Sequence, residues 1–281
     1  MRSIRSTIKH LKRGLRIRSA IREIEGRPRS TIPPRRRGRS AEHLIVSLTS
    51  YPRRFPTLHL TLKSLLRQTV PADKVILWLE PGDDMKLPDD VLALQSEGLE
   101  IATHAPIRSY LKIVPTLISY PGSTIITADD DIYYGASMIE NLLAAHQEAP
   151  DRIICNRAHE IRLNRDGAPL PYLDWQRNLD APQTSRLVFP TGVMGVLYPP
   201  GVFHPDVTNE ALFKQLSPTA DDVWLYWMWR LTGKVASKIG NGIRLVEWPE
   251  TQVSHLRAQN VDSGGNDLSV RNMIDKYGFP D

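Results

Sequence analysis

Four short apolar runs, His43–Leu48, Lys74–Leu79, Glu100–Thr103 and Ser123–Ala128, alternate with helix-patterned segments along this chain, and the fourth ends in three consecutive carboxylates. Leu58, Leu62, Leu65 and Leu66 recur at helical spacing and stop near Gln68-Thr69; Pro88–Gly98 reads as a second helix. Met138, Leu142, Leu143 and His146 mark a third, followed by the apolar Arg152-Ile-Ile-Cys155. Strand and helix in strict alternation predict an α/β fold, a mostly parallel, doubly wound sheet with flanking helices in a single domain. In such a sheet the loops at the carboxyl ends of strands form the ligand crevice. The turn Thr49–Arg54 and the triplet Asp129-Asp130-Asp131 both fall at such ends, so they are expected to face one ligand.

Three adjacent carboxylates repel one another, a cost that a cation among them removes. A divalent metal at the end of a buried strand is also where an α/β enzyme holds a diphosphate. The plain alternative is an acidic turn leading into the helix that starts near Gly135.

Charge divides the chain in two. Of 36 Lys and Arg, 14 lie in residues 1–40 against Glu23 and Glu25, which leaves 22 basic and 29 acidic residues in 41–281. The first segment is therefore +12 and the rest −7, so the basic character belongs to the arm alone. Residues 1–40 read as a basic arm and linker, and 41–281 as one domain large enough for a sizeable core. Ile4, Ile8, Leu11 and Leu15 share one helical face among Arg5, Lys9, Lys12, Arg13 and Arg16, whereas Ile17, Ile21 and Ile24 fall on the opposite side. A straight amphipathic helix is expected to stop near Gly14–Arg18, with Pro28, Pro33, Pro34 and Arg35-Arg36-Arg37 forming an extended linker. The partner this pattern favours is an anionic membrane surface; a solvated disordered arm, nucleic acid and a transit-like role are the alternatives. No stretch offers a secretory core or a membrane span, and Cys155 is the sole cysteine, so the expected location is cytoplasmic, peripheral on the inner face of the cell membrane.

A set of ordered motifs carries a resemblance. Ile45-Val-Ser-Leu-Thr-Ser-Tyr-Pro-Arg53, Leu65-Leu-Arg-Gln-Thr69, Lys74-Val-Ile-Leu-Trp78, Thr127-Ala-Asp-Asp-Asp131, Gly192-Val-Met-Gly-Val-Leu-Tyr198 and Ala220-Asp-Asp-Val-Trp224 resemble nucleotide-sugar glycosyltransferases of the GT-A fold. Within these the chain is similar to bacterial family-2-like enzymes of surface and capsular polysaccharide assembly, from about residue 43 to about 275. The resemblance implies an inverting transfer of sugar from a nucleoside-diphosphate sugar, a UDP-sugar foremost, to a saccharide or lipid-linked acceptor, with Mn2+ or Mg2+ as cofactor. It implies Asp131 as the principal metal ligand with Asp129 as partner, and His255 as a further ligand that is equally an ordinary half-buried residue. Asp130 ranks lower as a donor-site residue because adjacent strand positions face opposite ways.

Thr49, Ser50 and Arg53 match the loop such enzymes place around base and ribose, although Arg53 and Arg54 also suit a polar turn. Lys112 is a candidate point charge for a phosphate, or else a solvated lysine on the helix leading to Pro115. Asp221-Asp222 matches the family's acidic motif, with Asp222 taking the acceptor's proton and Asp221 supporting it; the alternative is an acidic first helical turn. Trp175, near His159 and Tyr172, and Gly195, in the Gly192–Tyr198 turn, are the acceptor-side candidates. Trp224, Trp227 and Trp229 read first as packing, and Asn260–Asp267 as a lid or the start of the last helix. Two other functions stay open: a metal-dependent nucleotidyl- or phosphotransferase, against which stands the lack of a phosphate-cradling Gly motif, and a non-catalytic protein that binds an anionic surface.

Overall fold

A computed structural model describes residues 2–28, with side chains from Leu11 onward, together with 43–242, 245–249 and 264–280. The expectations for His255 and for the 260–263 part of the glycine-rich loop lie outside these residues. The helices are α1 (Arg2–Gly26), α2 (Phe55–Leu66), α3 (Asp89–Leu92), α4 (Val114–Ser119), α5 (Met138–Glu148), α6 (Glu210–Leu216), α7 (Asp221–Arg230) and α8 (Gly265–Tyr277). The strands are β1 (Leu44–Thr49), β2 (Lys74–Leu79), β3 (Leu99–Thr103), β4 (Thr124–Thr127), β5 (Ile153–Cys155), β6 (Ala158–Glu160), β7 (Gln183–Ser185), β8 (Val188–Pro190), β9 (Val196–Tyr198) and β10 (Ala236–Lys238).

Eight strands form one sheet in the order β3-β2-β1-β4-β9-β5-β10-β7, and β6 pairs with β8 separately. The pairs β3/β2, β2/β1, β1/β4 and β5/β10 are parallel, while β9 runs antiparallel between β4 and β5, as β7 does beside β10. This is the mostly parallel α/β sheet the alternation predicts. The period-2 geometry of each strand sends its side chains to two separate cores. Ile45, Ile76 and Trp78 enter a core with α7 and α8, and Leu44, Val46, Leu48, Val75 and Leu77 enter one with α2 and α5. Both faces are thereby covered, which is why the strands read as unbroken apolar runs.

α7 is buried on every side: Trp224, Trp227 and Trp229 are at most 1% exposed, consistent with the packing expectation. The indole N–H groups of Trp224 and Trp227 donate to the carbonyls of Val207 and Gly278, so neither leaves an unpaired donor in the core.

The first helix corrects an expectation. It runs unbroken through Gly14 to Gly26 and does not stop near Gly14–Arg18. A mid-helix glycine costs about 1 kcal/mol. That cost is offset because Ala20 and Ile24 are buried against Leu60 and Trp248, with Ile17 and Ile21 alongside. Leu11 and Leu15 remain 66% and 54% exposed. Nine helical steps place Leu15 about 180° from Ile24, so the two apolar stripes point to different partners and the domain covers only the second. Among the described residues, no helix is long and apolar enough to cross a membrane.

Candidate active site

β1 and β4 are neighbours whose chains leave in opposite directions, the switch point at which a parallel sheet opens a crevice. Their ends meet directly, because Ser50, just past β1, donates from Oγ to Asp130 Oδ2 at 2.6 Å. A 3-10 turn at Pro52–Arg54 carries the chain from β1 into α2 and turns Arg54 inward. Arg54 Nη1 lies 3.1 Å from Asp130 Oδ1 and 2.5 Å from Asp131 Oδ2. Arg53, the sequence candidate, is exposed. Thr49 gives its hydroxyl to the carbonyl of Trp78 at 2.9 Å. Thr49 and Ser50 are therefore engaged in shaping the loop, and Arg54 is the arginine that meets the acids.

The second half of the site gathers around Lys112, which is 7% exposed. Its Nζ makes an ion pair with Asp221 Oδ2 at 2.7 Å and stands 3.6 Å from Asp129 Oδ1. The solvated-lysine alternative is thus excluded. Asp222 Oδ1 accepts from the Gly192 N–H at 3.1 Å. A Cβ at Gly192 would lie 2.7 Å from Lys112 Nζ, 3.3 Å from Asp222 Oδ1 and 3.5 Å from Asp129 Oδ1, so a side chain there would push the ammonium out of this meeting. The β4 carboxylates and the start of α7, far apart in sequence, line one place.

Burial sets the charges here. It pushes the Asp222 carboxyl up to about 7, with Asp221 adding to the effect and Lys112 opposing it. It likewise raises Asp130 to about 7 against the pull of Arg54, and raises Asp131, with Asp129 the next cause. Burial alone would discharge Lys112, yet Asp221, Asp129 and Asp222 together hold its ammonium well above the ordinary range. A half-buried carboxylate whose pKa sits near neutrality suits a general base.

Among the described residues, no group of three His, Cys, Asp or Glu side chains is placed to hold a metal ion. What the chain offers is a pair, Asp129 and Asp131, electrostatically coupled and made of the hard oxygen donors that Mn2+ and Mg2+ favour. Such ions commonly bind through one or two carboxylates plus substrate phosphates and water, so the pair fits. The triplet's mutual repulsion is also met from within the chain, by Arg54 on one side and Lys112 on the other.

The acceptor-side candidates are engaged in packing and in a turn. Trp175 is buried with Tyr172 and Phe189 and donates its indole N–H to the Leu170 carbonyl at 2.7 Å, leaving no open ring face for a sugar. His159 belongs to the same cluster; burial, then Arg157, pushes its pKa down to about 3. Gly195 adopts φ +94° against Met138 and Leu142 of α5, a turn requirement that only glycine meets easily. Asp267 accepts from the Tyr172 N–H at 2.7 Å within the first turn of α8.

No protein-family model and no curated protein matches the chain. Among solved structures it is similar to a mannosyltransferase from Pyrobaculum calidifontis in complex with GDP-Man and Mn2+, at 14% identity and TM-score 0.35 over 54% of this chain and 45% of that one. It is similar to glucosyl-3-phosphoglycerate synthase from Mycobacterium tuberculosis in complex with Mn2+, UDP and glucosyl-3-phosphoglycerate, at 12% identity and TM-score 0.33 over 41% and 44% of the two chains. A third likeness is to 4-diphosphocytidyl-2C-methyl-D-erythritol synthase, at 10% identity and TM-score 0.43 over 81% and 98%. The chain spans less than half the length of the mannosyltransferase and of the glucosyl-3-phosphoglycerate synthase.

Proposed function

We propose that this protein is a metal-dependent glycosyltransferase that moves a sugar from a nucleoside-diphosphate sugar, a UDP-sugar foremost, to a hydroxyl of a saccharide or lipid-linked acceptor in surface polysaccharide or glycolipid assembly. The observation that carries this reading is the meeting of two carboxylate sets around Lys112 and Gly192: Asp129 from the end of β4, and Asp221 and Asp222 from the start of α7. One set suits the diphosphate and the other the acceptor. Asp129 and Asp131 would hold Mn2+ or Mg2+, which when bound neutralises charge that grows on the leaving diphosphate. Asp222 accepts the proton of the acceptor hydroxyl as its oxygen bonds to the anomeric carbon on the face opposite the leaving group. The bond from that carbon to the phosphate oxygen breaks, and its electron pair leaves with the nucleoside diphosphate. Inversion follows from a single displacement. Lys112 holds Asp221 and, through it, the start of α7 against the donor side.

Calorimetric titration with UDP, with and without Mn2+, tests the donor half. Asp131→Ala should weaken Mn2+-dependent UDP binding by about tenfold or more, since ligand charge sets cation affinity. The fold should survive, because Arg54 keeps Asp130 as a partner. Binding that is unchanged in the variant removes Asp131 from the site. With donor labelled in the sugar, recovery of label in the acceptor supports sugar transfer, whereas transfer of the nucleotide moiety would make the protein a nucleotidyltransferase.

The exposed stripe of α1 fits a membrane location for this activity. Leu11 and Leu15 are open to solvent beside the exposed Lys12, Arg13 and Arg16, so the distal turns carry apolar surface and positive charge together. Each cation near an anionic leaflet contributes about 1 kcal/mol. Replacing Leu11 and Leu15 together by Asp should cut co-sedimentation with anionic liposomes several-fold at low salt and change nothing with neutral ones. Equal sedimentation of the two proteins would assign this stripe another role.

A further inference from the structure

We propose that the last turns of α1 form a working part of the donor site, with Arg27 as a positioning residue for the carboxylates at the end of β4. The proposal rests on the donor reading above and assigns a function to a segment whose composition suggests only a tether.

Two routes of bonds run from α1 to the triplet. Arg27, just past the helix, donates from Nη1 to the carbonyls of Tyr134 at 3.2 Å and Ser64 at 3.4 Å, and from Nη2 to the Tyr133 hydroxyl and to Glu23. Its guanidinium carbon stands 5.2 Å from the centre of the Tyr133 ring. The Tyr134 hydroxyl in turn accepts from the backbone N–H of Asp129 at 2.7 Å. The second route starts at Ile24, which is buried against Trp248. Trp248 donates its backbone N–H to the Asp131 carbonyl at 2.9 Å and its indole N–H to Thr61 Oγ1 at 2.7 Å. The Thr61 hydroxyl lies 3.0 Å from the Asp130 carbonyl and 2.9 Å from that of Ile132. Arg67 fastens the helix end by donating to the Ile24 carbonyl at 3.1 Å.

The backbone of each of the three acids is thus reached by contacts that start at the end of α1: Asp129 through Tyr134, Asp131 through Trp248, and Asp130 through Trp248 and Thr61. Side chains that repel one another keep a useful geometry only if their backbone is fixed by something else. α1 supplies part of that fixing from outside the sheet. An Arg suits this task because its planar fork spreads donors from two nitrogens over two carbonyls and a hydroxyl, whereas an ammonium acts from a single nitrogen.

The test measures UDP affinity in the presence of Mn2+ for the full-length protein, Arg27→Ala, Arg27→Lys, and chains lacking residues 1–16 or 1–28. Groups that orient metal-site ligands are worth about 10- to 100-fold in affinity. Arg27→Ala and the 1–28 truncation should therefore bind at least about tenfold more weakly, and Arg27→Lys should recover only part of the loss. The 1–16 truncation should bind within about twofold of the full chain, because it keeps Ile24 and Arg27, from which both routes start. Trp248→Phe keeps the packing but removes the indole donor, and it should weaken binding even if Arg27→Ala fails to fold. A lowered melting temperature with unchanged affinity, or full affinity in the 1–28 truncation, overturns the proposal while leaving the donor reading in place. Absence of UDP binding by the full-length protein overturns the donor reading and this proposal with it.

Discussion

Asp222→Asn is expected to lower sugar transfer by on the order of 100-fold or more, the usual contribution of a positioned general base, while UDP affinity stays within about twofold. Asparagine keeps the size of the side chain and an oxygen for the Gly192 N–H, so the contact at 3.1 Å survives. What it cannot do is accept the acceptor's proton. The pH dependence carries the same signature. Burial raises the Asp222 pKa from 3.8 to about 7, so the carboxylate form is scarce below neutrality, and kcat/KM should rise with pH through that value and then level. The variant should lack this limb. Stability follows with its own sign: a carboxyl whose folded pKa is raised stabilises the fold at pH values below 3.8 and loses that contribution as pH climbs through 7. The melting temperature of the parent protein should therefore fall relative to that of Asp222→Asn between those limits. Near-normal transfer by the variant would reduce Asp222 to an acid of the first helical turn, and loss of UDP binding as well would make it structural.

The parallel half of the sheet was legible because β1, β2 and β4 are buried on both faces and so read as apolar runs between turn residues. The antiparallel insertion of β9 was not, since a three-residue strand carries no period of its own and owes its place to pairing with β4 and β5. In the site, the two acidic motifs and Lys112 stood out, but the pairing of cations with the acids did not. Arg53 and Arg54 are equivalent in a string of letters; only the 3-10 turn decides that Arg54 faces inward. For the same reason the triplet's repulsion pointed to a bound cation or an acidic turn, whereas Arg54 and Lys112 lie within ion-pair distance of it. Trp175 shows the converse ambiguity, because an aromatic residue's affinity for sugar and its affinity for a core look identical before its neighbours, here Tyr172 and Phe189, are known. The end of α1 was misjudged because helix length there is set by the surface of Leu60 and Trp248, which no local pattern records.

Lys112→Met should cost about 3–5 kcal/mol of stability at neutral pH, the range found when one partner of a buried ion pair is removed. Methionine fills much of the same space, so the loss comes from charge. Lys112 is 7% exposed and faces Asp221 at 2.7 Å and Asp129 at 3.6 Å, with Asp222 the third carboxylate that its charge offsets. Without it these acids repel in a place from which water is largely excluded. The cluster escapes by taking up protons, at Asp222 foremost, whose folded pKa, already raised by burial, rises further above the unfolded one. A raised carboxyl pKa favours the fold at low pH and loses that benefit as pH rises, hence the deficit should be small near pH 5 and largest above 7. Urea unfolding at both pH values measures this directly. A second change, Asp221→Asn, removes the acid closest to the missing ammonium and should restore a substantial part of the loss, a coupling that a double-mutant cycle isolates. An equal deficit at both pH values, or none, would mean that Lys112 is held there by its stem and not by the acids. A deficit that grows with pH and shrinks with Asp221→Asn would instead make Lys112 the charge that lets the end of β4 and the start of α7 occupy one site.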